Sequence, residues 1–332
     1  MFKVGVVGCG SMGRWHLEHF SKLKDVKLVA ACEVNETLLK KAGADFQIPH
    51  LFTDYHQMAE MEGLDAVSIV LPNYLHLPVT ITFLESGKDV LVEKPMAMNA
   101  REAERMAQKA RDKERILMVH MNHRWQPGFT TVKKLVEAGR FGEIYYLKAR
   151  WHRNRTFDED QKKRVWFTDK KKAGGGALLD IGVHILDLAL WIMDDFEPIS
   201  VSASVYNKFH SEVDDFASAL IRLKGNRLVS LETSWEAHLK DEFSLTVLGT
   251  RAGASVSTTS PLLIWEKMDG LTTETICRLP SDLPAEKTSV GHFVSVLKTR
   301  KTPETSAEKG VKTMRILDAI YRSAALGKEV KL

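Results

Sequence analysis

The sequence predicts an α/β protein: an N-terminal doubly wound parallel sheet, then a second α+β domain with a large open, mostly antiparallel sheet. Its 332 residues suit about two domains. Continuous apolar runs alternate with helical patterns in the first third, which is typical of a parallel sheet covered on both faces. Beyond about residue 122, β-type runs follow one another across turn residues. We therefore expect domains at residues 1–121 and 122–332.

In the first domain, apolar runs typical of β-strands alternate with the apolar spacing typical of α-helices. We expect strands at Lys3–Val7, Lys27–Glu33, Ala66–Leu71, Asp89–Glu93 and Ile116–His120. We expect helices at Met12–Leu23, Glu36–Ala42, His56–Met61, Leu75–Ser86 and Ala100–Asp112. Asn99 is a suitable N-cap for the last of these helices, because its side chain can accept from the first helical N–H groups.

The second domain mixes long β-type runs with a few helices. The β-type runs are Glu143–Trp151, Ile199–Asn207, Phe216–Leu223, Arg227–Trp235 and Phe243–Gly249. The helical patterns are Gly128–Ala138, Ala177–Met193, Ala285–Thr299 and Ala307–Leu326. One expectation is that the C-terminal helix packs back on the first domain.

Composition excludes several classes of protein. Hydrophobic residues make up 44% and charged residues 27%, so the chain can bury a full core. A net charge of +4, spread along the chain, does not predict nucleic-acid binding. Three cysteines at unrelated spacings suit reduced thiols in a cytoplasmic protein. The apolar stretch from Ala66 to Leu84 contains two prolines, which argues against a membrane span.

A glycine-rich turn follows the first strand. Gly8, Gly10 and Gly13 form the pattern Gly-x-Gly-x-x-Gly, with Ser11 and Met12 at the start of the following helix. The first glycine allows a tight turn, the second lets the backbone approach a pyrophosphate, and the third allows close helix–strand packing. The helix N-terminus then directs N–H groups at the anion. The turn therefore predicts a dinucleotide site.

An acidic residue closes the second strand. Glu33 lies about 20 residues after Gly13, the separation expected of the acid that binds the adenosine ribose. Its carboxylate would repel a 2′-phosphate, and Val34 and Asn35 offer no cation to bind one. This pattern favours NAD, with NADP the less favoured cofactor.

Three short motifs follow predicted strands, where ligands of doubly wound sheets bind. The Glu93-Lys94-Pro95 motif places a lysine where it can stabilise a developing alkoxide. The residues expected to border the cofactor, besides Glu93 and Lys94, are Pro72, Asn73, His76, Asn122 and Arg124. For each of these residues, a purely structural role remains an alternative.

A second glycine run, Gly174 to Gly176, leads into the most polar helix face of the second domain. Asp180, His184 and Asp187 follow it at helical spacing, which predicts that they share one face. A histidine held by carboxylates suits proton abstraction from an alcohol. The alternatives are a buried histidine satisfied by Asp187, or a cation site. No further ligand is evident nearby, so we expect no metal.

Together these motifs resemble the Gfo/Idh/MocA family of sugar and inositol oxidoreductases, over nearly the whole chain. The resemblance rests on Gly8-x-Gly10-x-x-Gly13 with His16, Pro72-Asn73-x-x-His76, Glu93-Lys94-Pro95, Asn122-x-Arg124 and the run from Gly174 to Asp187. It implies a Rossmann domain, a C-terminal sheet domain whose face often forms oligomer contacts, and a homodimer or homotetramer. Glu33 stands where the family more often has Asp.

The resemblance also implies roles for individual residues. Lys94 would orient the substrate hydroxyl, His184 would be the general base, and Asp180 would orient it. These three are the expected catalytic residues of an NAD-dependent dehydrogenase acting on a secondary alcohol of a sugar, inositol or related polyol. Substrate contacts are expected from those three and Arg124. Further contacts are expected from Arg153, Arg155 and Trp166, which lie in a charged stretch, Arg153 to Asp169, that departs from the family pattern.

Two other classes of function remain open. One is a glycosidase in which bound NAD transiently oxidises the sugar. The other is a sugar or nucleotide sensor that retains the fold without catalysis. An intact set of Lys94, Asp180 and His184 counts against the sensor. No membrane and no nucleic-acid partner is expected.

Overall fold

The structure, a computed structural model, describes residues 1–154, 166–210, 212–280 and 283–332. It divides into two compact units. The first unit comprises Met1–Asn122 and Asp282–Val311, and the second comprises His123–Ser281 and Lys312–Leu332. The division expected from the sequence placed all of residues 122–332 in the second domain. In the structure the chain returns to the first unit near residue 282.

A six-stranded parallel sheet forms the centre of the first unit, in the order β3-β2-β1-β4-β5-β6. The strands are β1 (Phe2–Val7), β2 (Val26–Cys32), β3 (His50–Phe52), β4 (Ala66–Ile69), β5 (Asp89–Glu93) and β6 (Leu117–His120). This confirms the predicted doubly wound sheet. Strand β3 was not predicted, because it is three residues long and largely exposed and so has no apolar run.

Five helices connect these strands: α1 (Ser11–Ser21), α2 (Glu36–Phe46), α3 (Tyr55–Ala59), α4 (Asn73–Glu85) and α5 (Ala100–Asp112). Side chains cap three of them. Asn35 accepts from two backbone N–H groups of α2, and Asp54 and Asn99 each accept from one in α3 and α5. Such caps satisfy N–H groups that have no partner within the helix.

A nine-stranded sheet forms the second unit, in the order β14-β13-β12-β11-β7-β10-β9-β8-β15. Its strands are β7 (Ile144–His152), β8 (Ser200–Tyr206), β9 (Phe216–Arg222), β10 (Leu228–Ser234), β11 (Glu242–Gly249), β12 (Ala252–Ser257), β13 (Leu262–Met268), β14 (Leu271–Cys277) and β15 (Val330–Lys331). Only β7 and β10 pair in parallel; the other pairs are antiparallel. The prediction of a large, mostly antiparallel sheet is confirmed. Sequence patterns missed the last four strands.

The second unit contains α6 (Pro127–Glu137), α7 (Lys170–Ala173), α8 (Val183–Met193) and the C-terminal part of the last helix. Helix α6 packs on β12, and α8 packs on β7 and β10. Among the described residues, Lys170–Met193 is long and apolar enough to cross a membrane, but 94% of that apolar window is buried inside the protein. Burial in the core of this unit therefore explains why the segment is apolar.

Two helices follow the large sheet: α9 (Ser289–Thr299) and α10 (Ala307–Leu326). Helix α9 packs on α1 and β6 and buries Val290 and Phe293 completely. Between the two helices, the Thr305 carbonyl oxygen accepts from the backbone N–H of Val119, and Ser306 forms an antiparallel bridge with Met118. These contacts along β6 explain why the segment belongs to the first unit.

Candidate active site

The three glycines of the first turn have different structural requirements. Gly8 has a φ of +97°, and a Cβ there would lie 2.0 Å from the carbonyl oxygen of Val70. A Cβ on Gly13 would lie 1.9 Å from the carbonyl oxygen of Gly8. A Cβ on Gly10 would meet nothing within 4 Å. Gly8 and Gly13 are therefore needed by the protein's own packing, whereas Gly10 borders open space that a ligand can enter.

Helix α1 begins at this open glycine. Gly10 is its N-cap, and within the described chain no side chain caps this end, in contrast to α2, α3 and α5. Gly10, Ser11 and Met12 are all exposed. A helix N-terminus attracts anions through its N–H groups and dipole. These residues therefore fit the pyrophosphate of a dinucleotide, as the sequence predicted.

Backbone N–H groups orient the carboxylate of Glu33, the residue predicted to bind the adenosine ribose. One carboxylate oxygen of Glu33 accepts from the N–H of Cys9 at 2.9 Å, and the other accepts from the N–H of Asn35 at 3.0 Å. Glu33 thus links the phosphate turn to the start of α2, while its remaining lone pairs can accept from ribose hydroxyls. Burial, reinforced by the Glu33 charge, raises the pKa of the Cys9 thiol to about 12, so Cys9 stays protonated.

Glu93 points into the first unit. Its side chain is buried, and one oxygen accepts from His16 Nε2 at 2.9 Å and from His120 Nδ1 at 2.7 Å. The other oxygen accepts from the backbone N–H of Lys94 at 3.1 Å. Burial opposes ionisation, but His120 and His16 outweigh it and hold the Glu93 pKa well below its usual value. The predicted cofactor contact of Glu93 stays a prediction, and this geometry does not support it.

Lys94 follows at the carboxyl end of β5. It is partly buried, and the Lys94–Pro95 peptide bond is cis. The buried His76 lies beside this turn: its Nδ1 is 2.8 Å from the carbonyl oxygen of Pro95, and its Nε2 is 2.8 Å from that of Leu71. His76 therefore connects the turn after β5 to the turn before α4. It supports the backbone around the predicted cofactor residues.

Three more of the predicted cofactor residues lie at strand ends of the first unit. Pro72 is the N-cap of α4, which begins at Asn73, and Pro72 makes no side-chain capping hydrogen bond. Asn73 is 6% exposed. Asn122 begins a short 3-10 turn, Asn122–Trp125, directly after β6. All three positions agree with the expected placement at the carboxyl ends of parallel strands.

A π-helical turn carries Asp180 in the second unit. The turn spans Leu178–Gly182 and leads into α8, so the spacing from Asp180 to His184 is not that of a regular α-helix. The indole Nε1 of Trp235 donates to Asp180 Oδ2 at 3.0 Å. His184 is 6% exposed, and the ring of His123 contacts its ring edge-on at 4.5 Å between centroids. π-Helical turns are frequent at functional sites.

Asp187, which was expected to share a helix face with Asp180 and His184, is hydrogen-bonded to Arg124. Its carboxylate receives two hydrogen bonds from the Arg124 guanidinium, at 2.6 and 2.7 Å, and both residues are buried. The guanidinium also lies 5.5 Å from the Trp191 ring centroid and 5.6 Å from that of Phe196. Arg124 is thus held within the second unit. Its predicted contact with substrate or cofactor stays a prediction that this ion pair does not favour.

The second glycine run is required by close packing against other residues of this unit, not by space for a ligand. A Cβ on Gly176 would lie 1.8 Å from the carbonyl oxygen of Asp214, and one on Gly175 would lie 2.2 Å from the Tyr321 hydroxyl. The Asp214 carboxylate accepts from the N–H groups of Gly176 and Leu178 at 2.7 and 2.8 Å, and from Tyr321 at 2.7 Å. This clamp fixes the start of the π-helical turn.

Of the remaining predicted substrate residues, the structure describes Arg153 and Trp166. The Arg153 guanidinium is 4.8 Å from the ring centroid of Trp151, and Trp151 stacks on Phe243 at 4.3 Å. Trp166 stacks on Phe167 at 4.0 Å. Arg155 lies outside the described residues. A substrate role for these side chains stays a prediction.

Sequence reasoning missed several residues that form hydrogen bonds with the predicted site residues or with their partners. They are Trp235 and Asp214 with Tyr321 in the second unit, and Ser68, His120 and Ser289 in the first. Each lies far in sequence from the residue that it contacts. The sequence therefore carried no local signal for them.

Two family models match the chain. The model described as "Oxidoreductase family, NAD-binding Rossmann fold" matches residues 2–121, and "GFO/IDH/MocA C-terminal domain" matches residues 129–255. The chain belongs to the Gfo/Idh/MocA oxidoreductase family. The first unit of this family member is an NAD-binding Rossmann domain, which agrees with the open Gly10 and the oriented Glu33.

Named relatives of this family extend over nearly the whole chain. D-glucoside 3-dehydrogenase of Escherichia coli (strain K12) is 26% identical and covers 99% of this chain and 97% of that protein. Myo-inositol 2-dehydrogenase of Thermotoga maritima is 24% identical and covers 99% and 98%. The structure titled levoglucosan dehydrogenase, complex with NADH, has a TM-score of 0.91 at 22% identity, covering 99% and 98%. The structural likeness shows a shared fold.

Proposed function

We propose that the protein is an NAD-dependent oxidoreductase that transfers a hydride between nicotinamide and a secondary alcohol of a sugar, inositol or related polyol. The observation that carries the proposal is the dinucleotide turn, with its open Gly10, uncapped helix α1 and backbone-held Glu33, in a member of this family. The relatives named for dehydrogenation of glucosides and of myo-inositol support the substrate class.

Bound nicotinamide would supply the hydride acceptor, leaving the proton and the alkoxide charge to the protein. We assign the ammonium group of Lys94 to the substrate hydroxyl oxygen, where it donates a hydrogen bond and stabilises developing negative charge. We assign proton abstraction to the imidazole of His184, which is neutral when it accepts the hydroxyl proton. Asp180 would orient that imidazole and stabilise its protonated form.

The preference for NAD follows from Glu33. Its carboxylate is fixed by Cys9 and Asn35, so it cannot turn away from a 2′-phosphate without losing two hydrogen bonds. A fixed negative charge beside a phosphate is repulsive. We therefore propose that NADP is the poorer cofactor.

The deciding experiment measures reduction of NAD, and separately of NADP, with inositols, aldoses, sugar phosphates and nucleotide sugars. The expected result is turnover of one substrate class with NAD. Lys94→Ala and His184→Ala should each lower kcat by about 100-fold or more, since each removes one charge-stabilising or proton-transferring group. NAD binding should stay within a few-fold of wild type.

The exposed Lys40→Ala is the matched control for Lys94→Ala and should keep wild-type rates. Wild-type rates in either active-site variant would overturn that residue's role. If NAD binds but no alcohol is oxidised, the same protein would be tested on glycosides, and cleavage there would replace the dehydrogenase by the glycosidase.

We also propose a cytoplasmic homodimer or homotetramer. Support comes from the second unit, where Tyr206 on β8 and Leu220 on β9 are 47% and 46% exposed on the sheet. The two residues lie four register positions apart along the paired strands, and an interface between protein copies would cover both. Light scattering at micromolar concentration tests the assembly, and a monomer would overturn it.

A further inference from the structure

A chain of five buried polar side chains crosses the first unit behind Lys94. It runs Ser68–His16–Glu93–His120–Ser289, and we call it the His–Glu–His network. The Ser68 hydroxyl is 2.8 Å from His16 Nδ1, and the Ser289 hydroxyl is 2.6 Å from His120 Nε2. None of the five side chains is more than about a tenth exposed. They come from α1, β4, β5, β6 and α9, so the network joins five separate elements.

The hydrogen bonds of this network require a proton on one nitrogen of each ring. Glu93 Oε1 is an acceptor, so His16 Nε2 and His120 Nδ1 must each carry a proton. The other ring nitrogen of each histidine can then accept from the serine hydroxyl beside it. Every ring nitrogen is thus paired when both histidines are neutral and Glu93 is ionised. Burial also lowers the His16 pKa, to about 4, which favours the neutral ring.

The same three residues have the spacing of metal ligands, since their donor atoms lie within 4.8 Å of one another. A metal would need a ring nitrogen from each histidine. In the described residues each of these nitrogens already contacts Glu93 or a serine at 2.6–2.9 Å. The serine partners of both rings make the hydrogen-bonded network the better account of this cluster.

The network connects two parts of the proposed site. Glu93 Oε2 accepts from the backbone N–H of Lys94 at 3.1 Å, so the carboxylate holds the backbone of the proposed catalytic lysine. His16 lies on α1, whose N-terminus is the dinucleotide turn. A shift of either ring would therefore move the carboxylate that both rings share.

We propose that His16 and His120 are positioning residues, which hold the Glu93 carboxylate and through it the backbone of Lys94. The inference rests on the proposed role of Lys94. Glu93 is then a support for the lysine and makes no contact with the cofactor. The role needs one N–H donor from each imidazole and no proton transfer, so an amide that places N–H at the same point can replace it.

Substitution of His120 tests the role. His120→Asn keeps a donor near the position of Nδ1, whereas His120→Leu keeps volume without a donor. We expect His120→Leu to lower kcat by about 10-fold, the loss expected when a charge-assisted hydrogen bond is removed. KM and NAD affinity should change less than about 3-fold, and His120→Asn should recover most of kcat. His292→Gln removes another partly buried histidine of this unit and should leave kcat unchanged.

Wild-type kcat in folded His120→Leu, or an equal loss in His120→Asn, would overturn the proposal. A measurement on the wild-type protein covers the case in which a variant does not fold. Nitrogen-15 NMR of labelled histidines at pH 7 should show a proton on His16 Nε2 and on His120 Nδ1. Addition of zinc should leave both sets of resonances unchanged.

Absence of the proton from His16 Nε2 or His120 Nδ1, or a zinc-induced shift, would contradict the network. The NMR result does not depend on activity. If Lys94→Ala were fully active while the expected tautomers were found, the role of Lys94 would be wrong and the network itself would stand.

Discussion

At the scale of single residues, the indole of Trp235 holds the carboxylate of Asp180 in the second unit. Trp235 is fully buried, and its Nε1 donates to Asp180. Its backbone N–H donates to the carbonyl oxygen of Asp215 at 2.9 Å, which fixes the position of the residue. A residue that reads as part of an apolar core in the sequence therefore supplies a polar contact at the proposed site.

Trp235→Phe should remove this hydrogen bond and keep most of the ring. Because a hydrogen bond to a charged group contributes about 1.5–3 kcal/mol, we expect kcat to fall by about 10-fold or more. NAD affinity should not change. Steady-state kinetics with saturating NAD measures both quantities.

Trp265→Phe is the matched control. Trp265 Nε1 donates to Glu274 at 2.6 Å between two strands at the edge of the large sheet, so the variant loses the same kind of bond. Its kcat should match wild type. Equal losses in the two variants would mean that Trp235 has no special relation to Asp180.

Glu33 combines cofactor selection with support of the turn. Glu33→Ser with Val34→Arg should raise the ratio of kcat/KM for NADP to that for NAD by about 10-fold or more, since a repulsive charge is replaced by an attractive one. The free energy of unfolding should fall by about 1–3 kcal/mol, because the N–H groups of Cys9 and Asn35 lose their acceptor. Val34→Arg alone is the control for the added charge. An unchanged ratio in the double variant would place the ribose contact elsewhere.

At the scale of elements, the turn that carries Asp180 depends on the end of α10. The Tyr321 hydroxyl donates to Asp214, which in turn accepts from the backbone of the glycine run. Burial raises the pKa of Asp214, so the carboxylate needs these donors to remain ionised. The conformation of the π-helical turn therefore depends on contacts far away in sequence.

Tyr321→Phe should lower the free energy of unfolding by about 1–3 kcal/mol, because a buried acceptor loses a donor. Urea denaturation measures the change. Tyr145→Phe removes a hydroxyl from a tyrosine that is 46% exposed and should have little effect. Equal stability of the two variants would contradict the clamp.

Some elements were predictable from the sequence and others were not, for physical reasons. Strands β1, β2, β4, β5 and β6 are continuous apolar runs, and the three glycines of the first turn precede a helix. Strand β14 is an exposed edge strand, so it carries no alternation of buried and exposed residues. The sequence also indicated where Glu93 lies in the chain. It could not indicate that the side chain points inward, because the two side chains that contact it, His16 and His120, come from two other elements.

At the scale of the whole molecule, the buried histidines make stability depend on pH. The His16 pKa is about 4 in the folded protein and about 6.5 in the unfolded chain. As pH falls from 6.5 towards 4, the unfolded chain takes up a proton that the folded protein does not, so stability is lost. Glu93, whose folded pKa is lowered, contributes stability above about 4.5 that is lost below that pH.

His16→Gln should reduce the loss of stability between pH 7 and pH 5, although the variant is less stable at pH 7. One pKa unit corresponds to about 1.4 kcal/mol, so the contribution removed between pH 7 and pH 5 is about 2 kcal/mol. Urea denaturation at several pH values measures the slope. His50→Gln removes an exposed histidine and should leave the slope unchanged. A slope in His16→Gln equal to that of wild type would show that His16 titrates normally.

The return of residues 282–311 to the first unit has a consequence for synthesis. Until Ser289–Thr299 has emerged from the ribosome, the apolar surface that α9 covers on α1 and β6 is open. Until Thr305 and Ser306 follow, the main chain of β6 lacks its partners at Val119 and Met118. A nascent sheet with an open edge is prone to pair with other chains. The first unit can therefore be completed only after translation has passed Ser306, well beyond the residues of its own sheet.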